Sequence, residues 1–212
     1  MCEFLSGLTF GPNLESKYGK FYSDPAHVNS HTDLEAQLKL KDRHVDPAWA
    51  KWEYTPGTNG ITDFEGYVFR LDEDRKPSWW TDEVESETIA YVKAQLAKVV
   101  LVSGKIAELR EDVYALAGNV EVGALYSVVG VMRESAQVGV MWGSAQVGEM
   151  RQSAQVREMW ESAQVGVMRE SALATGRSPD VKYTLNGLAV FIDRSDYSKV
   201  TVHKAKARRV KA

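Results

Sequence analysis

The chain has 212 residues, 44% of them hydrophobic and 26% charged, with a formal net charge of −3. That is enough apolar material to bury a core in one or two domains. No run of about 18 apolar residues is present to cross a bilayer, the opening Met1-Cys2-Glu3-Phe4 lacks the regions of a signal peptide, and a single cysteine permits no internal disulfide; a cytoplasmic protein without membrane contact is expected.

Residues 1–99 read as a compact α+β domain. Glu3 to Phe10 has the character of a first strand and Lys20 to Tyr22 of a second. A short helix follows, for which Thr32 and Glu35 form a Thr-x-x-Glu capping box. Lys51-Trp-Glu-Tyr-Thr and Gly66-Tyr-Val-Phe-Arg-Leu are strand-like runs separated by the turn residues Pro56, Gly57, Asn59 and Gly60. Trp79-Trp80 is a packing wedge ahead of a helix that Thr81 or Asp82 can cap. Val84, Ile89, Val92 and Leu96 recur at roughly helical spacing within it, up to about Val99.

Residues 100–176 contain a repeat array. Between Val131 and Ala172 the chain repeats every nine residues, as Met132-Arg-Glu-Ser-Ala-Gln-Val-Gly-Val and then Met141-Trp-Gly-Ser-Ala-Gln-Val-Gly-Glu. One position alternates, Arg133, Trp142, Arg151, Trp160, Arg169, so the identity period is eighteen residues. Such units cannot bury their apolar atoms alone and must stack on neighbours. A parallel β-solenoid with two nine-residue half-coils per turn puts every Arg on one edge and every Trp on the other, each ladder repeating at about 4.8 Å. An α-helix also fits, because eighteen residues make about five turns. Its apolar residues would fall on two opposed stripes, and Gly130, Gly139, Gly143, Gly148 and Gly166 would each cost about 1 kcal/mol within it. In the solenoid those glycines can supply corners at φ > 0. The β-solenoid is therefore the expected fold, with Ser-Ala-Gln-Val as a short strand, Val-Gly as the corner and Met as a second inward residue. Ala136, Ala145, Ala154, Ala163 and Val138, Val147, Val156, Val165 point inward. Asn119 to Tyr126 and Ser127 to Glu134 are degraded copies, as expected of terminal units.

Residues 177–212 read as a β cap and basic tail. Val181-Lys-Tyr-Thr-Leu and Leu188-Ala-Val-Phe-Ile flank Asn186-Gly187, a two-residue hairpin signal, and Lys199 to His203 adds a third strand. The task expected of this small β-hairpin cap is to close the open end of the solenoid. The stretch carries nine Lys or Arg against three Asp, so it is +6 and the remainder of the chain −9. Lys204 to Lys211 is expected to be a solubilising end rather than a contact for nucleic acid or an acidic partner.

Met1-Cys-Glu-Phe, Asn29-Ser-His-Thr-Asp-Leu34, Lys51-Trp-Glu-Tyr-Thr-Pro56 and the Ser-Ala-Gln-Val repeats together resemble a family of uncharacterised phage and prophage proteins, in which a similar N-terminal module is joined to variable, sometimes pentapeptide-like, C-terminal repeats. The resemblance implies a phage setting, hence the cytoplasm of a host cell, and no activity. Some pentapeptide-repeat proteins mimic duplex DNA. The array here holds five Glu and four Arg between Val131 and Ala172, without the dense anionic surface that mimicry needs.

Candidate chemistry is sparse. Cys2, once its initiator Met is removed, would be an N-terminal nucleophile that His31, and less directly His27, could activate; a small half-buried residue at the start of a strand is the simpler reading. His27, His31 and Asp33 lack convergent metal-ligand spacing, so capping and turn roles are expected and no metal site is. Asp72, Glu73 and Asp74 read as a solvated strand end. No phosphate-cradling glycine loop or other cofactor signature occurs. Arg133, Trp142, Arg151, Trp160 and Arg169 are the candidate ligand-binding residues, since stacked aromatic and guanidinium groups can hold bases, phosphates or sugars; they can equally serve as structural cover. The expected function is a non-enzymatic binding protein for a protein or nucleic-acid target, its solenoid a spacer or second surface. A Cys2-nucleophile enzyme and a self-assembling homo-oligomer are the alternatives.

Overall fold

A computed structural model describes residues 5–28, 30–41 and 47–205. The chain divides into two compact units, Met1–Val99 and Val100–Ala212.

The first unit is built on an antiparallel sheet of order β2-β1-β3-β4, formed by β1 (Leu5–Phe10), β2 (Phe21–Tyr22), β3 (Trp49–Thr55) and β4 (Val68–Leu71). All six residues of β1 are buried, because both of its faces are covered. On one face Leu8 and Phe10 pack with Leu34 and Trp49. On the other the Trp52 indole lies over Gly7, where an added Cβ would meet the ring at 2.0 Å. Thr9 Oγ1 there accepts from Trp52 Nε1 at 3.1 Å and meets Thr88 Oγ1 at 3.1 Å. Thr88 belongs to the helix Asp82–Val99, which starts as expected, with Thr81 Oγ1 accepting the Val84 N–H at 3.3 Å. Trp80 is buried and donates to Glu85 Oε2 at 3.0 Å.

Two local features of this unit differ from the sequence reading. The helix Pro12–Tyr18 was unforeseen, although Pro at its first turn and Gly19 at φ 77° after its end are the punctuation of a helix. The helix His31–Gln37 follows Ser30, which makes no side-chain cap bond, and Glu35 Oε1 instead accepts from Trp49 Nε1 at 2.9 Å. The capping box does not form because the sheet claims the carboxylate. In chain order these helices are α1 (Pro12–Tyr18), α2 (His31–Gln37) and α3 (Asp82–Val99).

The second unit is a β-solenoid of about six coils. One sheet stacks β5 (Val100–Leu101), β7 (Val113–Leu116), β9 (Val128–Met132), β11 (Gln146–Met150), β13 (Gln164–Met168) and β15 (Lys182–Leu185). The other stacks β6 (Lys105–Leu109), β8 (Glu121–Leu125), β10 (Gln137–Met141), β12 (Gln155–Met159), β14 (Leu173–Gly176) and β16 (Val190–Asp193), with β17 (Thr201–Lys204) at its end. Within a sheet each coil pairs in parallel with the next and like falls on like, for example Val138 on Val156 and Met141 on Met159. The interior is a continuous column in which Ala136, Ala145, Ala154, Ala163, the four repeat valines and Met132, Met141, Met150, Met159 and Met168 are at most 1% exposed.

Of the five glycines expected at corners, Gly143 is at one, at φ 64°, and the other four lie within strands. The strand is Gln-Val-Gly-Val-Met and its variants, and the chain turns at the two residues that follow the Arg or Trp. Glu134, Gly143, Gln152, Glu161 and Glu170 hold the left-handed conformation, at φ 54–64°. Gly139, Gly148 and Gly166 are instead mid-strand and face outward; a Cβ there would stand 2.5–2.6 Å from a carbonyl of the coil beneath. Close backbone approach, not a positive φ, explains these glycines.

The C-terminal end also differs. Asn186-Gly187 is a solenoid corner with Gly187 at φ 65°, because β15 and β16 pair in parallel with β13 and β14 rather than with each other. An Asn-Gly pair suits any corner needing φ > 0. The antiparallel pair is β16 with β17. Inside the last coil Tyr183 stacks on Phe191 with ring centroids 3.6 Å apart, and Gly176 leaves room for Phe191, whose Cζ would lie 2.6 Å from an added Cβ.

Val147→Asp is expected to destabilise the protein by about 4 kcal/mol or more, since it buries an unpaired carboxylate in that column. Gln146→Lys, on the exposed side of the same strand, should stay within about 0.5 kcal/mol of the parent. Chemical denaturation of both variants checks the assignment, and equal effects would refute it.

Deleting Arg151 to Met168 removes β12 and β13 together and should leave a protein that melts cooperatively near the parent. Deleting Arg151 to Met159 removes β12 alone, sends each later strand to the wrong sheet and should give a poorly folded or aggregated product. Thermal melting distinguishes the two outcomes, and equally good folding of both would contradict the two-strand coil.

Candidate functional site

The corner positions build two columns. On one edge the residue that leaves the second sheet is in turn Arg110, Tyr126, Trp142, Trp160, Arg177 and Arg194. Backbone bonds fix this succession: Tyr126 N–H donates to Leu109 O (3.0 Å), Trp142 to Leu125 (3.1 Å), Trp160 to Met141 (3.0 Å), Arg177 to Met159 (2.8 Å) and Arg194 to Gly176 (2.9 Å). Arg133, Arg151 and Arg169 occupy the opposite edge, each N–H donating to the end of the preceding strand in the first sheet. The alternation in sequence therefore becomes a segregation in space. Trp142 and Trp160 stack with centroids 5.7 Å apart and planes 15° from parallel, and the Arg110 guanidinium covers the Tyr126 ring at 4.2 Å.

A carboxylate on each edge ties successive coils together, a role the sequence reading did not assign. Glu149 is 8% exposed; it accepts from Arg151 Nη2 at 2.7 Å and also bonds Arg169 of the next coil. Glu158 accepts from Trp160 Nε1 at 3.0 Å and from Arg177 Nη2 at 2.7 Å. The spacing is the same in both, Glu-Met-Arg and Glu-Met-Trp, with the second donor, an Arg, one coil later. Burial pushes the Glu149 carboxyl up, but hydrogen bonds and charge from Arg151 and Arg169 outweigh it and hold the group below its ordinary value. Hydrogen bonds from Arg177 and Trp160 lower Glu158.

The left-handed corners on the arginine edge carry a second ladder. Gly118 N–H donates to Glu134 Oε2 (2.7 Å), Glu134 N–H to Gln152 Oε1 (2.8 Å) and Gln152 N–H to Glu170 Oε2 (2.8 Å). Each side chain thus satisfies the corner of the coil before it, which offsets the strain of a non-glycine residue at positive φ. The sequence signal is a Glu or Gln directly after each repeat Arg.

The outer face of the second sheet holds a groove of about 380 Å³ with Ala107, Gly123 and Gly139 in its floor. Its walls include the Lys105 to Glu121 ion pair (3.1 Å) and Arg157, which donates to Gln137 Oε1 at 2.9 Å.

The candidate pair in the first unit fares differently. Cys2 lies outside the described residues. His31, the first residue of α2, is brought neither to His27 nor to Asp33. His27 Nδ1 bonds Asp24 Oδ1 at 2.7 Å, whereas His31 Nδ1 lies 3.1 Å from Asp72 Oδ2 and its Nε2 is 2.9 Å from the Trp52 carbonyl. Glu73 turns back to accept the Lys51 N–H at 2.8 Å.

No protein-family model, curated protein or solved structure matches the chain. Among the described residues no helix is long and apolar enough to cross a membrane.

The pH response of Glu149 follows from its lowered pKa. A carboxyl whose folded-state pKa is depressed stabilises the fold above the ordinary carboxyl range, and that contribution is lost as pH falls through the folded-state value. Glu149→Gln should lower the melting temperature at pH 7, and the gap to the parent should close below about pH 4. Melting curves across that range decide the matter; a gap independent of pH would mean that the charge contributes nothing.

Proposed function

We propose that this is a non-enzymatic, phage-encoded binding protein whose solenoid presents the column Tyr126, Trp142, Trp160 as its contact surface. The observation that carries this reading is the column itself: from Arg110 to Arg194 it spans about 24 Å at the strand spacing, with aromatic rings in the middle and cations at both ends. Tyr and Trp are the side chains that most often anchor interfaces, because they offer large contact area at little entropic cost. The cations are largely answered within the protein, Arg110 by Glu108 at 2.8 Å and Arg177 by Glu158. A polyanion needs open positive charge along its path, so the balance supports a protein or other weakly charged target over nucleic acid. The glycine-floored groove on the same sheet, with its Lys105, Gln137 and Arg157 walls, supplies polar contacts beside the column. The arginine edge, cross-tied by Glu149, serves as structural cover.

The test is retention of a target by the immobilised full-length chain from host-cell extract, compared with a Trp142→Ala/Trp160→Ala variant and an Arg133→Ala variant. The double variant is expected to lose at least tenfold in retention while melting cooperatively, and Arg133→Ala to retain the target. Equal retention by parent and double variant would overturn the assignment of this edge.

A further inference from the structure

We propose that His31, Glu53 and Asp72 form a binding site for a zinc-like divalent metal ion in the N-terminal unit. The three residues come from α2, β3 and the residue after β4, and one nitrogen of His31 and one carboxylate oxygen from each acid lie within 4.8 Å of one another. Sheet register produces the cluster. Glu53 pairs with Arg70 and the Asp72 N–H donates to the Lys51 carbonyl at 2.8 Å, so Glu53 and Asp72 fall on the same face of β3 and β4. His31 opens α2 above that face.

The imidazole supplies the second observation. Nε2 faces the Trp52 carbonyl at 2.9 Å; a carbonyl can only accept, so Nε2 carries a proton and donates. A histidine that ligates a metal typically gives its other N–H to a backbone carbonyl or a carboxylate in this way, which fixes the tautomer and aims the free lone pair. Here that lone pair is on Nδ1, directed at Asp72 Oδ2 only 3.1 Å away. A lone pair and a carboxylate so close repel unless a cation stands between them, either a second proton on the ring or a metal ion. The Glu53 side chain makes no hydrogen bond or ion pair among the described residues, and its carboxylate is the second negative group at the same point.

The dimensions suit zinc. Metal–ligand bonds of about 2.0–2.2 Å at a tetrahedral angle place neighbouring ligand atoms roughly 3.3–3.6 Å apart. The observed 3.1 Å between Nδ1 and Oδ2 is close to that range, and the Glu53 oxygen lies within 4.8 Å of both. One imidazole with two carboxylates suits Zn²⁺ or a neighbouring first-row ion better than the all-oxygen shells of Ca²⁺ or Mg²⁺. Asp72 is on the exposed side, so three protein ligands leave the fourth position to water or to a group from solution.

The experiment is a Zn²⁺ titration of the full-length chain, stripped of metal by chelator and carrying Cys2→Ala so that the thiol cannot bind. Competition against a chromophoric chelator gives stoichiometry and affinity, and X-ray absorption gives the ligand atoms. One Zn²⁺ per chain is expected, with one imidazole nitrogen and oxygen donors in its shell. Glu53→Gln and Asp72→Asn should each weaken binding at least tenfold, and Zn²⁺ should raise the melting temperature of the parent only. His31→Gln removes the nitrogen donor; if it unfolds, the two surface variants still decide the question. Absence of stoichiometric binding, or an affinity unchanged by Glu53→Gln and Asp72→Asn, would overturn the proposal and leave His31 as an imidazolium between two carboxylates.

Discussion

Everything in the C-terminal unit depends on the in-register parallel hydrogen bonding of one coil to the next. A sequence of period eighteen wound into coils of eighteen residues places each side chain on its own copy, so a single favourable contact is repeated along the stack. Val138 on Val156 and Met141 on Met159 fill the interior this way, and the same register brings Trp142 against Trp160. The geometry that makes the core also makes the surface columns.

That constraint explains why the corner chemistry is so restricted. A carboxylate two residues before the corner can reach the corner residue of its own coil and that of the next, as Glu149 does with Arg151 and Arg169 and Glu158 with Trp160 and Arg177. Shifted one residue towards the corner, to the place of Met150 or Met159, the carboxylate would face the interior and the bridge would be lost. The arginine edge is therefore bound up in its own salt bridges. On the tryptophan edge Trp160 Nε1 is bound to Glu158, and Tyr126, Trp142 and Trp160 keep part of their surface exposed.

The sequence was most legible where it was most periodic. The strict Arg/Trp alternation identified a two-strand coil, and the inward Ala and Val positions followed from it. The corner itself was misplaced, since Gly in Val-Gly suggested a positive φ when Gly139, Gly148 and Gly166 only make room for a neighbouring carbonyl. The true corner residues, among them Glu134 and Gln152, show no ordinary turn preference; what fits them to φ > 0 is a side-chain bond to another coil, which is invisible to local reading. Asn186-Gly187 was recognised as a turn but not which turn, because that depends on whether β16 finds β15 or β14. In the first unit, His31 was singled out as a partner for Cys2 and beside His27 and Asp33, its neighbours in sequence. Its actual neighbours, Glu53 and Asp72, are set by sheet register across more than twenty residues.

The ladder through Gly118, Glu134, Gln152 and Glu170 has a direction. Every acceptor side chain belongs to the later coil and every donor to the earlier one. During synthesis a coil therefore emerges with a donor still waiting, and the coil translated after it completes it. The series ends at Gly187, the next corner, which has no side chain to offer the Glu170 N–H.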